Sequence, residues 1–148
     1  MSTPNSRLSE RVAIVAAIDP QIVDGATVYS DYVDMSKFDR ILAVVQVGDT
    51  EAVVDAEIQT AQDAADTGVA DLDGKAITQL TAAGGDNKQA AIELRAAEMP
   101  SGHQFARLKV TVASTSTGAF IAGLVIGGDA REKPASDNDV ASVAEIVD

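Results

Sequence analysis

The chain has 148 residues with 11 basic and 23 acidic side chains, a formal charge of −12, and is long enough for one domain with a real core but too short for two of ordinary size. Its 46% apolar share consists of 26 Ala, 17 Val, 10 Ile and 7 Leu with only three Met, three Phe and two Tyr, which argues against global disorder and for a thin aliphatic core. With no Cys and one His, disulfides, thiolate nucleophiles, Cys-based metal sites and multi-His sites are excluded, and no basic stripe of the kind a nucleic-acid binder needs is visible.

Met1–Glu10 is polar, lacks the apolar run of a signal peptide, and reads as a flexible arm. Arg11–Ile18 is the first expected strand, closed by Asp19-Pro20, and a second is expected near Thr27–Val33 after an Asp24-Gly25 turn. Asp39–Val47 follows, ending at Gly48-Asp49. Along Ala52–Gln62, Val54, Ala56, Ile58 and Thr60 alternate with Asp55, Glu57 and Gln59, the period of a half-buried strand. Asp63–Gly74 reads as the longest loop, followed by a strand over Lys75–Thr81 and a turn at Ala82–Asn87. Gln89–Glu98 has helix-favouring composition but alternates, so it is assigned to strand. In Gln104–Ser114, Ala106, Leu108, Val110 and Val112 face inward against Arg107, Lys109 and Thr111. Ala119–Ile126 is apolar on both faces and is expected to be a central strand covered on both sides. Beyond Gly127-Gly128 the tail is polar, and Asp137-Asn138-Asp139 either caps a short helix over Val140–Val147 or belongs to an arm that orders on a partner. No run approaches the roughly 18 apolar residues of a membrane span.

About eight regularly spaced strands with few helices predict an all-β, antiparallel, jelly-roll-like sandwich over residues 11–130, flanked by flexible arms at 1–10 and 131–148.

The residues that could carry chemistry read blandly. His103 sits in a turn, Pro100-Ser101-Gly102-His103, with no nucleophile or orienting acid at a recognisable spacing. Asp66, Asp71 and Asp73 before Gly74 miss the spacing of a calcium loop and read as a solvated acidic loop. The pairs Gly84-Gly85 and Gly127-Gly128 lack the Lys and the following helix of a phosphate loop. Asp55 and Glu57 share a strand face without the aromatic platforms of a glycosidase. No catalytic residue, cofactor or metal is expected. Tyr29, Tyr32 and Phe38 concentrate most of the aromatic content in one window, as a core anchor or an interface hot spot.

Tyr32–Asp49 (YVDMSKFDRILAVVQVGD), Val54–Gly68 (VDAEIQTAQDAADTG), Gly74–Glu98 (GKAITQLTAAGGDNKQAAIELRAAE) and the stretch from Leu108 to Gly127-Gly128-Asp129 together resemble a family of small tailed-bacteriophage structural proteins, above all the capsid decoration or cement proteins. The resemblance covers roughly Tyr29–Pro134. It implies a non-enzymatic virion protein, made in the bacterial host cytoplasm, that binds the major capsid protein on the outer head surface as a homotrimer and stabilises the mature head. Nucleic acid and membrane are not expected partners. A neck or tail component (a head–tail connector or tail accessory protein) is the alternative, and a small carbohydrate-binding sandwich is the alternative from another class. Expected contacts with capsid or neighbouring subunits are Arg7, Leu8 and Arg11 in the first arm, Tyr29, Tyr32 and Phe38 in the aromatic window, and Arg131, Lys133, Ile146 and Val147 in the tail.

Overall fold

In the computed structural model, which describes residues 5–147, period-two segments become nine strands and helix is confined to two single turns. A short helix, α1 (Leu8–Arg11), leads into β1 (Val12–Val23), β2 (Ala26–Tyr29), β3 (Val33–Asp34) and β4 (Phe38–Thr50). Then come β5 (Val54–Ala61), β6 (Ala70–Ala76), β7 (Lys88–Arg95), a 3-10 turn over Ala96–Glu98, β8 (Phe105–Val112) and β9 (Ala119–Ala130).

The strands form two antiparallel sheets. One has the order β1-β9-β4-β7; the other runs β2-β8-β5-β6, with β3 beside β8. Counted as one interrupted strand, β2 and β3 bring the total to eight. Neighbours in one sheet (β1 and β9, β4, β7) are then followed or preceded in the chain by neighbours in the other (β2 and β8, β5, β6). That is the jelly-roll arrangement, in which a folded-over ribbon manages its own edges. The interruption has a local cause: Ser30 is buried, its backbone N–H donates to the Leu108 carbonyl (2.9 Å), and its Oγ accepts from the Leu108 N–H (2.9 Å).

The core lies between the sheets. Ile58, Leu108 and Val110 from one meet Ile41, Val45, Leu94 and Val125 from the other, all 1% exposed or less. Phe38 is the largest of the buried side chains, and its ring needs Gly127: a Cβ there would stand 2.7 Å from Phe38 Cδ1. At Gly118 the constraint is conformational as well, with φ +69° and the Val23 carbonyl oxygen 2.2 Å from where a Cβ would be.

Three expectations change. Strand β6 occupies the second half of the supposed loop Asp63–Gly74, and the strand expected over Lys75–Thr81 is reduced to its first two residues, Lys75 and Ala76, plus an isolated bridge from Leu80 to Val54. The reason is an exposed polar edge: Gln59 Nε2 donates to Asp71 Oδ1 at 2.8 Å and anchors a strand with little apolar pattern to read. Strand β1 continues through Asp19-Pro20 because Pro lies on an edge strand, where a register irregularity between Ile18 and Gln21 absorbs it. The tail does not form a helix over Val140–Val147. It runs back along the open edge of β1, where Ala135 N–H donates to Glu10 O (2.9 Å), Ile14 N–H to Asn138 Oδ1 (2.8 Å) and Asp139 N–H to Ile14 O (2.7 Å). A single turn at Asp139–Val143 follows.

Gly127→Ala is expected to destabilise the chain by about 1–3 kcal/mol, the usual cost of forcing atoms into a filled core. Urea unfolding measures it, and an unchanged midpoint would show that the Phe38 ring moves aside freely.

Candidate functional site

The two outer faces of the sandwich differ in chemistry. On β5 and β8, Asp55, Glu57 and Gln59 lie opposite Thr111, Lys109 and Arg107, so each outward acid or amide meets a basic or hydroxyl side chain. Lys109 Nζ reaches Glu57 Oε1 at 2.9 Å and Asp71 Oδ1 at 3.2 Å. The hydrogen bond to Glu57, then that to Asp71, raises the Lys109 pKa against the opposing effect of burial. Asp71 is lowered, first by the hydrogen bond from Gln59 and then by Lys109.

Arg107 is the hub of this face. Its guanidinium lies 4.0 Å from the centre of the Tyr29 ring and 4.6 Å from that of Tyr32, donates twice to Gln59 Oε1 (3.1 and 2.9 Å), and pairs with Asp66 at 3.1 Å. Tyr32 hydroxyl donates to the same Asp66 carboxylate, and burial followed by that hydrogen bond pushes the Tyr32 pKa up to about 12. Delocalised charge against aromatic faces and a planar fork of donors are what arginine supplies and lysine does not. The Tyr29–Tyr32 pair is therefore neither core nor free platform; both rings are engaged with a cation from a strand some 75 residues away.

The outer face of the four-stranded sheet is the opposite case. Its rows cross the strands in register. Ile14, Ile126 and Leu42 stand in one row, which ends at Glu93; Ala17, Leu124, Val44 and Ala91 form the next. Ala122 then lies beside Gln46 and Gln89, and Ile22 beside Phe120 in the last row. Leu42, Phe120 and Ile22 are 39, 50 and 57% exposed, and no described element lies over them. At the Phe120 end, Pro20–Ile22 and Asn87–Gln89 wall a shallow groove of about 630 Å³. Lys88 is the charged member of that wall, and at the other end Arg40 pairs with Asp129 (2.8 Å) and lies 3.9 Å from Glu93, next to Arg95. Apart from the Gln46–Gln89 pair, the rows between these ends are apolar.

The expectation that Ala119–Ile126 is covered on both sides is thus corrected. The strand is central, between β1 and β4, but only its Ala119, Ile121, Val125 side is sealed; Phe120, Ala122, Leu124 and Ile126 face outward. The signal for this surface was present in the double-sided apolar run; what was lacking was any sign that the second layer would not exist.

The other expected contact residues are dispersed. Phe38 is buried in the core. Arg7, Leu8 and Arg11 are exposed around α1, at the start of the open β1 edge. Met1–Pro4, the rest of that arm's beginning, lies outside the described residues. Arg131 pairs with Asp39 (3.3 Å), Lys133 is exposed in the following turn, and Ile146 and Val147 are exposed at the end of the tail. His103 Nδ1 is hydrogen-bonded to the buried Thr60 hydroxyl at 2.8 Å, a packing role. Among the described residues no cluster of His, Cys, Asp or Glu is arranged to hold a metal, and no helix is long and apolar enough to cross a membrane.

No family model matches the chain, and no curated protein does. Solved structures with a similar fold include that of Desmodium yellow mottle tymovirus, at 8% identity and a TM-score of 0.44, over 92% of this chain and 97% of the other. The infectious bursal disease virus Gx strain structure aligns at 11% identity and 0.43, over 80% of this chain and 32% of that one. A xylan-binding domain of CBM 22 aligns at 10% identity and 0.38, over 85% and 90%. Likenesses this distant carry no conclusion about activity.

The polar face has a titration signature. In a Tyr29→Phe variant the remaining phenol, Tyr32, is expected to ionise near pH 12 by ultraviolet absorbance, and ionisation near the ordinary value of about 10 would remove Asp66 from its environment. Asp71, with a folded pKa below the ordinary 3.8, contributes stability that is present above 3.8 and is lost as the pH falls through the folded value. Asp71→Asn is therefore expected to flatten the acid limb of the urea midpoint against pH; an unchanged acid limb would count against the Gln59–Asp71–Lys109 contact.

Proposed function

We propose that the chain is a non-enzymatic bacteriophage virion structural protein, a decoration protein that binds the major capsid protein on the outer head surface and stabilises the mature shell. The observation that carries this reading is the uncovered aliphatic face of the four-stranded sheet, on a sandwich whose other face is locked into its own ion pairs. Such a molecule works by adhesion. The sequence resemblance over Tyr29–Pro134 supplies the kind of particle on which that adhesion acts.

The physics of the role is simple. A protein that binds the expanded lattice and not its precursor adds binding free energy to the expanded state alone and so resists its disruption. The net charge of −12 keeps the decorated surface from retaining nucleic acid. The segments with which it would reach the lattice are those that leave the sandwich: the region of Arg7, Leu8 and Arg11, the Arg131–Lys133 turn, and the Ile146–Val147 end. Because the tail is tied to β1 at Ile14, both termini of the domain emerge along the same edge, so one side of the molecule presents both.

Deleting residues 1–10 is expected to lower occupancy on expanded capsids, measured by co-sedimentation, while leaving the thermal unfolding of the sandwich nearly unchanged. Undiminished occupancy would take the first arm out of the interface. Densitometry of purified particles is expected to show a copy number comparable to that of the major capsid protein; the stoichiometry of a single ring would favour the neck or tail reading instead.

A further inference from the structure

We propose that the aliphatic outer face of the four-stranded sheet is covered by the same face of a second copy of this chain, in a two-fold contact between decoration subunits. This deepens the functional reading above, which identifies the face as adhesive without naming its occupant.

Charge is the first argument. The chain carries −12, yet the ionisable side chains bordering this face are Arg40, Arg95, Glu93 and Asp129 at one end and Lys88 in the groove wall at the other, so the face carries none of the acidic excess of the rest of the chain. A partner selected by opposite charge would be basic and would be drawn to the acidic surface elsewhere. Two acidic copies, by contrast, approach most closely through a surface free of that acidic excess, and this face is such a surface.

Shape and area point the same way. Apart from Phe120 and the mutually hydrogen-bonded Gln46–Gln89 pair, the rows are built of Ala, Val, Leu and Ile on a regular ladder, and sheets whose facing side chains are of that size pack about 10 Å apart. Four strands about 4.8 Å apart and some eight residues at about 3.3 Å outline roughly 500 Å² per copy, or about 1,000 Å² for the pair. That sits at the lower bound for a specific interface, so the contact is weak between dilute molecules and effective between molecules concentrated on a lattice. A face meeting itself is isologous, so the axis passes near the middle row, where Val44 of one copy lies close to Val44 of the other.

Salt separates this contact from a charge-driven one. Screening relieves the repulsion between acidic copies and leaves apolar attraction intact, so association strengthens as salt rises, whereas binding to a basic partner weakens.

The test is sedimentation velocity on the full chain over series of protein and sodium chloride concentrations. Wild-type protein is expected to move from the 15.2 kDa of one chain toward twice that mass, further at higher salt. Val44→Glu and Val44→Lys are each expected to weaken association by about a hundredfold or more, the effect of like charges placed face to face. An equimolar mixture of the two is expected to restore it. Leu42→Glu, at a more exposed position in the next row, serves as the second single variant, and circular dichroism melting checks that each folds. A wild type that stays monomeric throughout overturns the proposal, as does association that survives in both single variants. Association lost on deleting residues 140–148 but kept in the Val44 variants assigns the contact to the tail and also overturns it. Failure of the mixture to restore association shows that the face meets a different surface. Capsid co-sedimentation of the same variants is read separately: monomeric variants that still bind capsids leave the functional reading standing, and dimers that never bind capsids remove it.

Discussion

Strand β9 is the element on which the molecule turns. Its backbone is paired along one side with β1 and along the other with β4, so it lies in the interior of its sheet, and its side chains must alternate between two environments. The inward set, with Ile121 and Val125, closes the sandwich, while Gly127 leaves room for the Phe38 ring. The outward set is equally apolar. One strand therefore builds the core and, by the same geometry, displays an aliphatic surface to whatever lies outside.

That double use explains the division of labour between the sheets. The β2-β8-β5-β6 sheet places its ionisable side chains opposite one another, and Arg107 gathers Tyr29, Tyr32, Gln59 and Asp66 into a self-satisfied layer. Groups so engaged make a well-solvated exterior and leave little for a partner to bind. Among the described residues the opposite sheet holds no such network over most of its outer face, and its few charges are confined to the two ends. The acidic chain thus has one side that is largely apolar and one that is charged and self-paired.

The elements that could be read from the chain were those in which polarity alternates. Val54–Ala61 and Phe105–Val112 announce themselves because each has one wet and one dry face, and the two pair along their whole length. Strand β6 was hidden because an exposed edge has no dry face to declare: Asp71 and Asp73 look like a loop until Gln59 and Lys109 are seen beside them. The aromatic window was visible as composition, but its purpose depended on Arg107, brought over by the pairing of β8 with β2 and β3.

Local alternation, turn residues and the shortage of rings were enough, by themselves, to specify an all-β sandwich with a thin aliphatic core, because a strand's period of two is a property of its own backbone. Whether both sides of Ala119–Ile126 are covered is not such a property. It depends on how many layers the fold stacks, and a chain that makes two sheets has none left to lay over the second side. The tertiary structure alone decided that Phe120, Leu124 and Ile126 face outward, and with that decision it turned what read as a buried strand into an open apolar face.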